Sequence, residues 1–209
     1  RLIHAIRTRA TRQIGVLVGL MAVGGVLVWR VPAHMDFLQV QAYQTAATSY
    51  LALGDYRQAV EMAEESLRRA REMGLIEHPL TYHALGSAQF QLGDYAAAER
   101  NLRKTLEITP LWADARTRLA TTLAREGRFA DAIAQYEQVL AERPDSAEAH
   151  RLLGNVLAGT GQFPAALEHL RRAVELDPNE LAGVVDTIEL LRHQYQDAAA
   201  RELTAQALQ

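Results

Sequence analysis

Apolar and small residues recur at helical spacing along most of the chain, in units that each carry an aromatic residue followed three positions later by alanine. The five copies are Tyr56-x-x-Ala59, Tyr95-x-x-Ala98, Phe129-x-x-Ala132, Phe163-x-x-Ala166 and Tyr195-x-x-Ala198. In the first four copies a glycine stands two residues before the aromatic, and these glycines are 39, 34 and 34 residues apart. A fixed period in the thirties predicts a stacked array of helical hairpins.

The pattern divides the chain into about four regular hairpins and a degenerate C-terminal pair. We expect the hairpins at about residues 36–74, 79–112, 113–146, 147–178 and 179–209. The glycine of each turn supplies the left-handed conformation that ends a helix at little cost. The first unit is five residues too long, so we expect its second helix to extend by about one turn before Gly74. The last unit has His193 in place of the glycine, as expected of an end cap.

Three helix starts follow from the residues near the unit boundaries. Pro79 suits the first turn of a helix, where its missing N–H costs nothing. Asp145 and Glu148 have the spacing of a capping box. Asn179 is a suitable cap for the last pair.

The array resembles the tetratricopeptide repeat family from about Asp36 to Gln209. The shared marks are the period, the glycine-x-aromatic turn, the alanine, a Leu-Gly or Leu-Ala pair in the first helix, and a closing proline. The pairs are Leu85-Gly86, Leu119-Ala120 and Leu153-Gly154, and the prolines are Pro110, Pro144 and Pro178. The resemblance implies an all-α, right-handed α-solenoid whose first helices line a concave groove for extended peptides or partner helices.

The geometry of that family also implies which side chains line the groove. The residues that we expect to contact a partner are His83, Ser87, Gln91, Thr117, Arg118, Thr121, Arg125, Arg151 and Asn155.

Three of these residues are arginines, which we expect to lie near one another across two adjacent units. Arginine binds carboxylates in a bidentate manner, so the three could hold an acidic segment. The alternative is that they pair with local acids such as Asp114 and Glu148. Arg151 and Asn155 also resemble half of the carboxylate clamp of some family members, but Val184 and Val185 stand where the other half needs a polar amide.

The beginning of the chain has the pattern of a membrane anchor. No residue from Gln13 to Trp29 is charged, and a helix over residues 13–31 would be about 28 Å long, close to the thickness of a bilayer core. Residues 1–12 form a basic head, which places the N-terminus in the cytoplasm and the repeats in the periplasm of a bacterial inner membrane. The alternatives are a signal peptide cleaved near Val31-Pro32-Ala33 and a buried soluble helix.

Small residues within this anchor have the spacing that favours close packing of membrane helices. Gly15 and Gly19 are four residues apart, and Ala22 follows on nearly the same face. We expect this face to contact another membrane subunit, although glycine is also common in membrane spans.

Composition and charge exclude several other classes of protein. The net charge of −3 does not indicate nucleic-acid binding, and the chain has no cysteine. After Arg30 there are 17 basic residues and 25 acidic ones. No two of the seven histidines have the i, i+4 spacing of a helical metal site, and neither a nucleophile elbow nor a phosphate-binding glycine loop is present. We therefore expect no enzyme, cofactor, metal or small-molecule substrate.

The sequence thus predicts a membrane-anchored scaffold or accessory subunit that binds other protein subunits of a larger membrane complex. The alternative is a periplasmic assembly factor or chaperone that binds client segments transiently.

Overall fold

The computed structural model describes residues 33–194 and 196–207, and every regular element within them is an α-helix. The ten helices are α1 (Ala33–Ala52), α2 (Tyr56–Glu72), α3 (Pro79–Gln91), α4 (Tyr95–Ile108), α5 (Ala113–Arg125), α6 (Phe129–Glu142), α7 (Ala147–Gly159), α8 (Phe163–Leu176), α9 (Leu181–His193) and α10 (Asp197–Ala207). They form five antiparallel hairpins, as the pattern predicts.

The turns inside the first four hairpins confirm the role of the repeated glycine. Gly54, Gly93, Gly127 and Gly161 all have φ between 77° and 83°. In each of these four hairpins the aromatic residue of the pattern is the first residue of the second helix. Tyr195, the aromatic residue of the fifth copy, lies outside the described residues.

The helices pack in chain order, and this arrangement positions the groove. Each helix from α2 onward contacts the next, and the first helices of successive hairpins also contact one another, α3 with α5, α5 with α7 and α7 with α9. Contacts between α1 and α2 include Ser66, whose hydroxyl donates to the carbonyl oxygen of Val40 at 3.1 Å. The helices α3, α5, α7 and α9 therefore form one continuous layer, here called the inner wall, and the second helices of their hairpins form the other layer.

Small residues allow the two helices of a hairpin to approach closely. The alanines of the motif at positions 59, 98, 132 and 166 are fully buried. A Cβ atom added to Gly86 would lie 2.9 Å from Leu102 Cγ, and one added to Gly154 would lie 2.8 Å from Leu170 Cγ. The Leu-Gly pairs thus mark the points where backbones meet, and Leu102 and Leu170 fill the adjacent core.

The first hairpin is extended, as its extra residues predict. Helix α2 has 17 residues, whereas α4, α6 and α8 have 14, and it ends before Gly74, whose φ is 64°. The segment that follows is held by an ion pair between Arg71 and Glu77. An apolar cleft of about 440 Å³ lies between this segment and α1, with Phe37 and Ile76 among its lining residues.

The predicted N-caps of α7 and α9 are wrong. Each of these two helices begins three residues after the proline that closes the preceding hairpin. Helix α7 is capped by Ser146, whose hydroxyl accepts a hydrogen bond from the Ala149 N–H at 3.3 Å, and not by Asp145. Helix α9 begins after Glu180 without a side-chain cap. Asn179 lies in the preceding turn, where its backbone N–H donates to Asp177 Oδ1 at 3.1 Å. Pro79 is the first residue of α3, as predicted.

The predicted membrane span at residues 13–31, with Gly15, Gly19 and Ala22, lies outside the described residues. Within residues 33–194 and 196–207, no helix combines the length and the apolar character needed to cross a bilayer.

Candidate partner-binding groove

The centre of the inner wall is built around a stacked pair of rings. His83 of α3 lies against Trp112, the residue before α5, with ring centroids 4.7 Å apart and planes inclined by 22°. Both side chains are half-buried. The contact joins the second hairpin to the third. The sequence pointed to His83 but not to Trp112, which lies in a turn outside the helical pattern.

The environment of His83 favours its neutral form. Burial lowers the pKa of His83, the charge of Arg118 lowers it further, and Asp114 acts in the opposite direction. At neutral pH the ring therefore presents one N–H donor and one acceptor to a ligand.

The guanidinium group of Arg118 contacts an aromatic ring and not an acidic side chain. Its guanidinium carbon lies 5.6 Å from the centroid of the Phe90 ring, in a cation–π arrangement. Arg125 is exposed in the last turn of the same helix, α5. Within the described residues neither arginine forms an ion pair with an Asp or Glu side chain, so both are available for an incoming carboxylate.

Arg151 has a different environment in the fourth hairpin. Its side chain contacts Glu180 at 2.9 Å and Asp186 at 3.5 Å. Asn155 donates to the same Asp186 carboxylate at 2.7 Å. The hypothesis of local pairing thus describes Arg151, although its partners are Glu180 and Asp186 rather than Glu148. No sequence pattern pointed to these two acids, because they lie 29 and 35 residues away.

A hydrogen-bonded pair of hydroxyl groups joins α5 to α6. The Thr121 hydroxyl donates to the Thr117 carbonyl oxygen at 2.9 Å, so the Tyr136 hydroxyl, 2.8 Å away, is the donor to Thr121. Burial raises the pKa of Tyr136 to about 12, while the charges of Arg118 and Arg151 oppose that shift. Both guanidinium groups therefore lie close enough to influence the same hydroxyl.

Two other predicted wall residues differ in their exposure. Gln91 is exposed at the end of α3. Ser87 is only 3 % exposed, and its Oγ has no hydrogen-bond partner in the described part of the chain. Ser87 therefore lies behind the accessible surface and does not line it.

Together the fold and the wall define an α-solenoid of helical hairpins. Two family models, both described as tetratricopeptide repeat, match residues 38–110 and 117–180. The chain therefore contains tetratricopeptide repeats, as the resemblance implies.

Solved structures share this fold. MamA from Desulfovibrio magneticus RS-1, residues 41 to the end, superposes with a TM-score of 0.70 at 24 % identity, covering 81 % of this chain and 93 % of that one. A second structure is that of YrrB, described as a TPR protein with an unusual peptide-binding site. It superposes with a TM-score of 0.63 at 25 % identity, covering 72 % of this chain and 75 % of that one.

Curated relatives are similar over part of their length. Anaphase-promoting complex subunit 7 of Mus musculus is 28 % identical over 142 residues, which are 68 % of this chain and 24 % of that protein. The TPR repeat-containing protein YpiA of Bacillus subtilis (strain 168) is 31 % identical over 121 residues, 57 % of this chain and 28 % of that protein. The chain thus spans about a quarter of the length of these relatives.

Proposed function

We propose that this chain is a membrane-anchored scaffold or accessory subunit whose groove holds an acidic segment of a partner protein. The observation that carries the proposal is the contrast between Arg118 and Arg151. The guanidinium group of Arg118 lies over the ring of Phe90 and has no carboxylate partner within the described residues. The charge of Arg151 is neutralised by two carboxylates. A cation without a carboxylate partner, on a domain with an excess of acidic residues, favours a ligand that brings its own carboxylate.

The centre of the groove offers this ligand both a charge and a surface. Arg118 and Arg125 of α5 supply two guanidinium groups, and the His83–Trp112 stack supplies a flat, half-buried platform nearby. A carboxylate followed by an apolar or aromatic residue in an extended segment fits such an arrangement. The neutralised end of the wall at Arg151 does not attract a second acidic group.

The comparisons support binding rather than catalysis. Repeat arrays of this class typically bind proteins or peptides. YrrB is described as having a peptide-binding site, and the mouse relative is named as a subunit of a complex. By analogy with these proteins, we propose that this chain acts without chemistry of its own.

The uncharged run at residues 13–29 supports a place at the bacterial inner membrane, with the repeats in the periplasm. In this proposal Gly15, Gly19 and Ala22 contact the membrane part of the complex. A periplasmic assembly factor that binds client segments transiently is the second candidate, since the same groove would serve it.

Site-specific photo-crosslinking in intact membranes tests this function. A crosslinker at Gln91, on the groove side, should give a discrete adduct, and one at Arg172, exposed on α8, should not. Arg118→Gln and Arg125→Gln should each weaken the Gln91 adduct, while Arg172→Gln, which removes only an exposed i, i+3 ion pair, should leave it unchanged.

A constant amount of adduct throughout growth favours a permanent subunit, and an amount that changes with growth stage favours the assembly factor. Equal adducts at both positions, or a full chain that purifies alone as a monomer, would contradict the proposal.

A further inference from the structure

Two histidines outside the groove face each other inside the fourth hairpin. The Nδ1 atoms of His150 in α7 and His169 in α8 are 2.9 Å apart. Their ring centroids are 5.1 Å apart and the planes are inclined by 32°. Both residues are half-buried. The sequence did not indicate this pair, because the two residues lie 19 positions apart on different helices.

The orientation of His150 is fixed by a second contact. Its Nε2 atom lies 3.1 Å from the carbonyl oxygen of Pro144. A carbonyl oxygen only accepts, so Nε2 carries the proton, and the neutral ring directs the lone pair of Nδ1 toward His169. Histidines that bind metals are commonly held in this way, with the other ring nitrogen donating to a backbone carbonyl.

The 2.9 Å between the two Nδ1 atoms is the length of an ordinary hydrogen bond, so one ring donates and the other accepts. Because Nδ1 of His150 accepts, Nδ1 of His169 carries the shared proton. Imidazole nitrogens are also common ligands of divalent metal ions, and Cu²⁺ binds such ligands more tightly than Zn²⁺ does. Cu²⁺ and Ni²⁺ favour square-planar or tetragonal arrangements, in which two imidazoles from facing helices can occupy two positions and water the others.

We propose that His150 and His169 form a two-histidine site for Cu²⁺ or Ni²⁺ that clamps α7 to α8. The ion takes the place of the proton between the rings. His169 moves its proton from Nδ1 to Nε2, both rings turn until their lone pairs meet at the ion, and no proton is released. The described residues offer no cluster of three His, Asp or Glu side chains for a metal, so water completes the coordination.

Titration of the full chain with Cu²⁺ alone, in mild detergent, tests the site. The number of bound ions should fall by one in His150→Gln and in His169→Gln, and stay unchanged in His193→Gln, whose ring lies against Phe163 instead. At about 100 times the dissociation constant, Cu²⁺ should raise the Tm of the parent chain by roughly 5 °C or more, and this rise should be absent in the two pair variants. Circular dichroism establishes that each variant is folded.

A measurement on the unaltered chain keeps the proposal testable if both variants fail to fold. Paramagnetic Cu²⁺ should broaden the NMR signals of residues around 150 and 169 before those around His83 or His193. An unchanged number of bound ions in both folded pair variants would overturn the site, and so would broadening that begins elsewhere in the hairpins.

Discussion

The ring of His83 stacks on the ring of Trp112, and this contact joins the first helix of the second hairpin to the turn that enters the third. It is a contact between two repeats, so it fixes how they are positioned relative to each other at the centre of the groove. A change at either residue should therefore affect both stability and the shape of the binding surface.

Replacing Trp112 with alanine should destabilise the domain by about 1–3 kcal/mol, because a half-buried indole and its stacking contact are lost. Leu111→Ala is the matched control, since Leu111 is 77 % exposed and its loss should cost less than about 0.5 kcal/mol. Urea denaturation followed by circular dichroism measures both. Equal effects of the two substitutions would show that the stack does not contribute.

Acidification should destabilise the domain through His83. Burial and Arg118 lower the pKa of His83 in the folded state below its ordinary value of 6.5, so the unfolded chain binds the proton more readily. The stability that His83 contributes is present above pH 6.5 and is lost as the pH falls toward the lowered pKa. The urea midpoint should drop between pH 7.5 and 5, and His83→Gln should reduce that drop. A drop of the same size in the variant would contradict the assignment to His83.

Gly154→Ala should destabilise the fourth hairpin by about 1–3 kcal/mol through overpacking. The new methyl group would lie 2.8 Å from Leu170 Cγ and 3.1 Å from the backbone oxygen of Ala166, which cannot move aside without shifting α8. Gly159→Ala is the control within the same helix, because no atom lies within 4 Å of its added Cβ, and it should be neutral or slightly stabilising. Thermal unfolding of the two variants gives the comparison, and similar Tm values would mean that the helices do not approach this closely.

Removing the acids that neutralise Arg151 should strengthen the binding of acidic ligands. In the double variant Glu180→Gln and Asp186→Asn, Arg151 loses both carboxylate partners and adds a third available cation to the wall. Glutamate-rich peptides should bind more tightly, with a steeper dependence on salt, at a cost in stability of roughly 1 kcal/mol. Fluorescence anisotropy with such a peptide measures the change.

The same double substitution with Arg151→Gln added is the control for this experiment. It should return binding to the level of the parent chain. An increase that persists without Arg151 would place the acidic ligand elsewhere.

The sequence predicted the elements of this fold well, because each of them is set by local chemistry at a fixed period. The turn glycines, the buried alanines and the longer α2 are all readable from spacing alone. The cap at Ser146 was missed since adjacent polar residues compete for that role, and only the backbone path after Pro144 decides between them.

The side chains of the groove were less predictable than its frame. Arg118 and Arg151 looked equivalent in the sequence, and their difference arises from Phe90, Glu180 and Asp186, which belong to other hairpins. The position of a long side chain depends on the residues that neighbouring repeats place beside it. The repeat period does not determine which residues those are. Ser87 shows the same limitation, since its burial depends on how tightly the hairpins pack around α3.

The packing of helices in chain order has a mechanical consequence. Across the described residues the contacts between helices join elements that are adjacent, or nearly adjacent, in sequence. A domain of this kind has a low contact order and extends under force as a series of springs, in which the least stiff interface between hairpins yields most. A force that pulls the two ends of the repeat array apart would therefore widen the groove gradually, and the affinity for a ligand in the groove would depend on that force.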